Sequence, residues 1–264
     1  MLFRLTGVPT QVKILSMVAQ NQVDTVSVIL GGEVLRPLPE GGLWWARLKT
    51  LIVSDLHFEK GSSYARHGQM LPPYDTAATL AIVEKLVARW QPERVISLGD
   101  SFHDGKADQR LADTAIARIR ALTQAADWIW VEGNHDPDPP QHLGGRAMSV
   151  LRSEELVFRH EPTHERNEIS GHLHPVAKVA GRAGTIRSRC FIASSARLIM
   201  PAIGAYTGGL NILHDAVTRL FPDHDMAVYV MGRERTYSVA TSRLRPDIRA
   251  ARTGARSLGA AANG

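Results

Sequence analysis

The sequence predicts an α/β fold that becomes β-rich in its second half. Three observations carry this. Short apolar runs alternate with stretches of helical period between residues 51 and 131. After residue 150 the helical period fades and strand-like runs dominate. Five of the apolar runs, moreover, stop at a cluster of Asp, Asn or His, the residue types that gather where parallel strands end.

Taken in order, residues 1–25 lack a clear period and read as an N-terminal extension. Val26 to Leu30 reads as a strand closed by Gly31-Gly32. Pro37, Pro39, Gly41 and Gly42 then mark a turn before Leu43-Trp44-Trp45, which predicts a hairpin between the two runs. The paired tryptophans read as core and sheet-face residues rather than a base-stacking platform. Leu51-Ile52-Val53 leads into Asp55-Leu56-His57. Gly61 to Thr76 reads as a long loop beside that block, in a region carrying Lys60, Arg66 and His67; substrate contact and a plain surface loop both fit it.

Leu80, Val83, Leu86, Val87 and Trp90 keep helical spacing and stop at Gln91-Pro92. The helix they predict crosses over to the strand Val95-Ile96-Ser97-Leu98 and its terminal Gly99-Asp100. Asp108 to Thr123 repeats the arrangement, with Leu111, Ala115, Ile119 and Leu122 on one face. It leads into Trp128 to Val131 and Gly133-Asn134-His135-Asp136. Such alternation means parallel strands with right-handed crossovers. Strand-like runs follow at 156–160, 168–172, 190–194, 197–200, 227–231 and 236–240. The first ends at His160, and the second opens Gly171-His172-Leu173-His174. The organisation expected is an extension over 1–25, one domain over 26–242 and a basic, unstructured tail over 243–264.

Composition bounds the function. Hydrophobic residues at 44% and charged residues at 22% are ordinary soluble usage. No apolar run approaches the length of a membrane span, and the N-terminus lacks a signal-peptide pattern. The one cysteine, Cys190, sits in an apolar run and excludes a disulfide scaffold, which favours a cytoplasmic protein. Seven arginines after residue 230, against Glu234 and Asp247, account for the whole net charge of +5. The basic character belongs to the tail and not to the body, so charge by itself argues little for nucleic acid.

The strand-end clusters argue more. An Asp/Asn/His rim without thiolates suits divalent metals. Two metals answer the resistance of phosphodiesters by activating water and clamping phosphate oxygens. In Asp55-x-His57, residues i and i+2 leave a strand on one side and can reach one ion. His172-x-His174 lets one segment reach two. Asp100, on a strand between the other ligand strands, is the candidate bridge.

In its order Asp-x-His, Gly-Asp, Gly-Asn-His-Asp, lone His and Gly-His-x-His, the chain resembles the calcineurin-like binuclear metallophosphoesterases over roughly residues 45 to 215. A closer resemblance lies in Glu59-Lys60-Gly61-Ser62-Ser63, Leu71-Pro72-Pro73-Tyr74-Asp75-Thr76, Leu98 to Asp104, and His160-Glu161-Pro162. These are similar to the PdeM subfamily, the bacterial ligase-associated DNA damage response endonucleases.

The resemblance implies a four-layer αββα sandwich of two mixed sheets flanked by helices. It implies that Asp55, His57 and His174 hold one metal, and Asn134, His160 and His172 the other, with Asp100 shared. His135 becomes the proton donor to the leaving oxygen, and Asp136 could accept a hydrogen bond from its ring. His103 either contacts the phosphate or packs beside the site. Two divalent ions are implied, Mn²⁺ first and Fe²⁺ or Zn²⁺ as alternatives. The substrate implied is DNA, single-stranded, cut in bacterial repair by a two-metal mechanism, with a functional association with a DNA ligase and helicase. A homodimer could use Tyr206 to Leu210 and the N-terminal hairpin.

Many phosphatases of this superfamily carry Gly-Asp-x-x-Asp-Arg, whereas Gly105 follows Asp104 here. The missing arginine argues against a protein serine/threonine phosphatase. His67, His142, His164, His214 and His224 match no ligand position and read as surface or loop residues. Two rival readings remain at this stage: a small-molecule or nucleotide phosphoesterase, and a non-catalytic partner-binding module.

Overall fold

Strands that alternate their side chains between two buried faces organise this chain. The computed structural model describes residues 26–182, 184–222 and 225–247. The first sheet runs in sequence order through β1 (Val28–Leu30), β2 (Glu33–Pro37), β3 (Leu43–Trp45), β4 (Thr50–Val53), β5 (Arg94–Leu98), β6 (Asp127–Val131) and β7 (Arg146–Met148). Its first four strands pair antiparallel, and β4 through β7 pair parallel. The parallel half is the part joined by helices, as the alternation predicts.

Three helices belong to this half: α1 (Lys60–Arg66), α2 (Asp75–Trp90) and α3 (Asp113–Ala125). Leu80, Val83 and Leu86 of α2, with Ile119 and Leu122 of α3, bury against Leu51, Val53 and Val95. Burying each such side chain contributes about 1.5–3 kcal/mol. That packing holds α2, because an isolated helix of its length is marginal in water. The next residue along each strand faces the other way: Ile52, Ile96, Leu98, Ile129 and Val131 meet Phe158, Ile169, Phe191 and Leu198 of a second sheet.

That second sheet has nine strands: β8 (Leu151–Ser153), β9 (Leu156–Phe158), β10 (Glu168–Ser170), β11 (Pro175–Gly181), β12 (Gly184–Ala193), β13 (Arg197–Ile199), β14 (Leu210–Asn211), β15 (Ala227–Met231) and β16 (Thr236–Val239). The spatial order is β14-β11-β12-β13-β10-β9-β8, with β15 on β12 and β16 on β15. The long β12 makes this possible. Its first half pairs with β11, and its second half pairs with β13 and β15. The result is the α/β sandwich of two mixed sheets, with one lopsided outer layer. Sheet one is covered by α2 and α3. Sheet two is covered by Ile212, Val217, Phe221 and Leu244, around a single four-residue helix, α4 (Asp215–Thr218).

Several local expectations are corrected. The hairpin expected between 26–30 and 43–45 contains an intervening strand, β2, so β1 pairs with β2 rather than β3. Charged Glu33 and Arg36, with Pro37 at the strand's end, hid its period. The expected loop after Gly61 begins instead as α1, whose Gly-Ser-Ser sequence is weakly helical. Asp75 supports it by accepting from the Gly61 amide at 2.8 Å. The second crossover helix starts at Asp113 rather than Asp108, after a short 3₁₀ turn. The tail boundary also moves. Leu244 is buried and bridges to Val179, so packed chain extends past residue 242. Residues 1–25 and 248–264, and His224, for which the sequence predicts an extension, an unstructured tail and a surface or loop histidine, lie outside the described residues.

The two tryptophans are core residues. Trp44 meets Trp90 at 5.1 Å between ring centroids, and Trp45 meets Phe158 at 6.1 Å. Cys190 is fully buried in β12. Among the described residues no helix is long and apolar enough to cross a membrane.

Candidate metal centre

Because β4, β5 and β6 are parallel, their C-terminal ends share one rim, and parallel β9 and β10 bring theirs to the second sheet. The loops leaving β4 and β5 stay paired beyond the strands. The His57 amide donates to the Asp100 carbonyl at 2.9 Å, Phe58 to Ser101 at 2.9 Å, and His103 back to Phe58 at 3.0 Å. Asp55 and Asp100 are therefore held relative to each other by backbone before any ion is considered.

The ligand-type residues lie past the strand ends, and this corrects the expectation that Asp55 and His57 project from one side of a strand. Asp55, His57, Asp100, His172 and His174 all have left-handed backbone, with φ of 53°, 46°, 46°, 66° and 45°. Side chains two apart converge because the chain coils between them. Each such residue costs at least about 1 kcal/mol, less for Asp and His than for bulkier types. Five together are a sizeable share of a domain's ~5–15 kcal/mol stability. Strain so concentrated marks a working site.

Close approach at the rim also dictates glycine. Gly99 has φ +70°, and a Cβ there would lie 2.5 Å from the His160 ring. At Gly171 a Cβ would overlap Ser54 Oγ and Asp55 Oδ2.

Two donor groups result. In one, Asp55, His57 and His174 converge: His174 Nε2 lies 3.0 Å from Asp55 Oδ1 and 3.3 Å from His57 Nε2. In the other, Asp100, His160 and His172 converge. Asn134 Oδ1 joins this second group, 2.9 Å from His160 Nε2 and 3.0 Å from His172 Nδ1. Asp100 lies between the groups, its Oδ2 3.3 Å from His160 Nε2 and 3.8 Å from His57 Nε2. Donors about 2.1 Å from a shared ion stand roughly 3.0–3.4 Å apart, so these spacings fit two cations.

The two imidazole nitrogens of His57 and His174 face each other at 3.3 Å, close enough to share either a proton or an ion. The donor chemistry, nitrogen and carboxylate without thiolate, suits Mn²⁺, Fe²⁺ or Zn²⁺.

Supporting contacts orient the ligands. His160 Nδ1 lies 2.9 Å from the Leu98 carbonyl, which turns Nε2 toward Asn134 and Asp100. Ser54 Oγ donates to Asp55 Oδ2 at 2.5 Å, and the His172 amide reaches the same carboxylate. Burial, reinforced by the charge on His174, pushes His57 down to about 3, against the pull of Asp55 and Asp100; its ring stays neutral. Burial acts the same way on His160, yet its hydrogen bond to Asp100 and the charges of Asp55 and Asp100 raise it to about 9. Asp100 is correspondingly held well below the usual carboxylate range: burial opposes this, but the His160 contact prevails.

Beside the donor groups stands His135, half exposed, its Nε2 4.0 Å from Asp100 Oδ2. Its Nδ1 lies 2.9 Å from the backbone carbonyl of His103. This corrects the bond expected from Asp136. Asp136 is buried and instead accepts from the Ser101 and Phe102 amides at 2.8 and 3.1 Å, bracing the loop that carries Asp100. Burial, with the nearby charge of Asp100, pushes its carboxyl up to about 7. The His103 ring stacks on His135 at 5.1 Å with planes 17° apart. Burial and the charge of Lys60 lower His103 to about 4, so it is neutral near pH 7.

Tyr64 of α1 escaped the sequence: it stacks on His103 at 5.9 Å, and nothing in the linear chain signals it because only the folded α1 brings it inward. Lys60, named in the sequence with the region where substrate contact fits, is buried, with Asp100 and Asp55 among the acids that act on its charge. His67, His142, His164 and His214 are exposed and lie outside the donor groups; His214 caps α4 through its Nδ1. Tyr206 to Leu210 runs from the Asp55 loop to the His174 loop, through bonds from Gly204 to Asp55 and from Leu210 to His174.

Two Asp/His donor groups with a carboxylate between them, at the rim of a mixed α/β sandwich, define a binuclear metallohydrolase class. A calcineurin-like phosphoesterase profile matches residues 48–197, and the chain belongs to that family. It is a metallophosphoesterase. Among solved structures, the Pseudomonas putida nuclease MPE is similar with 25% identity and a TM-score of 0.64, covering 82% of this chain and 100% of that one. An Escherichia coli phosphoesterase, YfcE, has 17% identity and a TM-score of 0.37 over 72% of this chain and 98% of its own. An Aquifex aeolicus protein of unknown function, AQ665, has 16% identity and a TM-score of 0.35 over 51% of this chain and 81% of its own. No curated protein sequence matches.

Proposed function

We propose that this metallophosphoesterase is a DNA endonuclease acting on single strands, with Mn²⁺ in both donor groups. The observation that carries the reading is the placement of His135. Its Nε2 stands at the edge of the centre, 4.0 Å from Asp100 Oδ2, while Nδ1 is tied to the His103 carbonyl at 2.9 Å. With Nδ1 turned to that carbonyl, Nε2 is the ring nitrogen left to hand a proton to a leaving oxygen. A sugar oxygen is a poor leaving group and needs that proton.

Asp55, His57, His174 and Asp100 would hold one ion, and Asp100, Asn134, His160 and His172 the other. The ions would supply Lewis-acid activation of water and neutralise phosphate charge. Similarity to a nuclease over most of the chain and the motif resemblance to ligase-associated endonucleases support the DNA substrate. The same resemblance supports a cytoplasmic repair role alongside a DNA ligase and helicase.

The test is cleavage of a labelled single-stranded oligonucleotide with Mn²⁺, beside Asp100→Ala. Cutting by the wild type and not by the variant is expected. Hydrolysis of a nitrophenyl diester alone, still dependent on Asp100, would move the substrate to small nucleotides. Binding of a partner with no hydrolysis of either would return the reading to a non-catalytic module.

A further inference from the structure

We infer that the cleft between α1 and the segment after His103 binds a further phosphate of the substrate strand, beyond the one being cut. The inference rests on the diesterase reading above and adds a subsite to it.

The cleft has a volume of about 450 Å³ and is lined by Ser63, Arg66, His67, Asp104, Gly105 and Lys106. It adjoins the ring stack that backs the proton donor. Tyr64 stacks on His103 at 5.9 Å, and His103 stacks on His135 at 5.1 Å. Lys106 follows His103 by three residues, a span of at most about 10 Å.

Charge decides what the cleft takes. Asp104, its one carboxylate, is engaged by Arg110 through two bonds of 2.9 and 2.7 Å. Arg110 also reaches Ser62 Oγ at 2.9 Å, so the pair clamps α1 to the opposite wall. Arg66 and Lys106 are exposed, and among the described residues neither has an acidic partner. Arg66 and Lys106 therefore leave net positive charge among the lining residues, beside a lining surface that is mostly apolar, and the Arg110–Asp104 pair fixes the walls. On the other side of Asp104 lies a cavity of about 240 Å³ lined by Asp104, Asp108, Asp136 and Asp138. Asp104 is paired with Arg110 and Asp136 is pushed up to about 7, so Asp108 and Asp138 carry the negative charge there, and a polyanionic strand is favoured on the side of Arg66 and Lys106.

The test compares three substrates with Mn²⁺: a dinucleoside monophosphate, the same compound with an added terminal phosphate, and a trinucleotide. Wild-type kcat/KM should rise about tenfold with the second phosphate. In the double variant Arg66→Ala/Lys106→Ala that ratio should fall to near one. The salt dependence of oligonucleotide binding should lose about 0.7 in slope, one phosphate contact. A gain from the terminal phosphate alone assigns the subsite to a phosphate monoester; a gain from the trinucleotide assigns it to a strand, as expected here. An unchanged ratio in the variant, or equal loss on all three substrates, overturns the subsite while leaving the diesterase reading intact. Failure of the wild type to cleave any of them overturns that reading and the subsite with it.

Discussion

The Nδ1 of His135 is held by the backbone carbonyl of His103 at 2.9 Å, while the two rings stack at 5.1 Å. The hydrogen bond therefore depends on main chain, and only the stack depends on the His103 side chain. His135→Ala should lower cleavage of oligonucleotides by about 10²–10⁴-fold and of nitrophenyl esters far less, because an aryl oxide leaves without a proton. His103→Ala should cost much less on oligonucleotides, since the carbonyl remains. Steady-state rates on both substrates check this, and equal losses for His135→Ala on the two would remove its role as acid.

Asp136 braces the Asp100 loop through two amides. Asp136→Asn can keep an acceptor oxygen in place and should retain near wild-type stability. Asp136→Ala leaves two buried amides unpaired, at a cost of about 1–3 kcal/mol each. Thermal unfolding of the two variants should separate them by several degrees.

Left-handed backbone at Asp55, His57, Asp100, His172 and His174 means that the centre's geometry is held partly at the expense of stability. Bound ions should repay this. Removing metal with a chelator should lower Tm, and saturating Mn²⁺ at about 100 Kd should restore roughly 2.7 kcal/mol. For a chain of this size that is on the order of 5–10 °C. Calorimetry of stripped and reloaded protein measures it, and a Tm indifferent to metal would contradict the assignment of the donor groups.

Gly171 leaves no room for a methyl group beside Ser54 and Asp55. Gly171→Ala should destabilise by about 1–3 kcal/mol and displace Asp55 from His57 and His174. Metal analysis should then find less than two ions per chain. A fully loaded Gly171→Ala protein would show that the loop can shift without loss.

Cys190 is fully buried in β12, and burial pushes its thiol far up. A thiol reagent should fail to label the native protein and label one group per chain in denaturant. Fast native labelling would contradict the packing of β12.

Much of this was legible in the linear chain. Strand periodicity along Leu51 to Val53, Val95 to Leu98 and Trp128 to Val131 is a local property, since alternate residues face opposite layers whatever the rest does. The ligand-type residues were legible too, because each stands immediately after its strand and parallel strands put those ends on one rim. Less was legible where the local signal was weak or mixed. The α1 segment has poor helix formers and is held by Asp75 and Arg110, far away in sequence. Strand β11 and the start of β12 are half exposed and lack a strong apolar period.

What the sequence determined by itself is the α/β class, the order of the blocks and the Asp and His residues that gather into the two candidate donor groups, all of which depend on residue type and short-range spacing. Tertiary structure decided the rest. It replaced a strand-side projection of Asp55 and His57 with left-handed turns, and it gave His135 the His103 carbonyl instead of Asp136. It also set Arg66 and Lys106 together at one cleft beside Asp104, and Asp108 and Asp138 at another. The physical reason is common to all three. Backbone hydrogen bonds between loops, and charges from distant segments, depend on which strand ends meet, and no local pattern encodes that meeting.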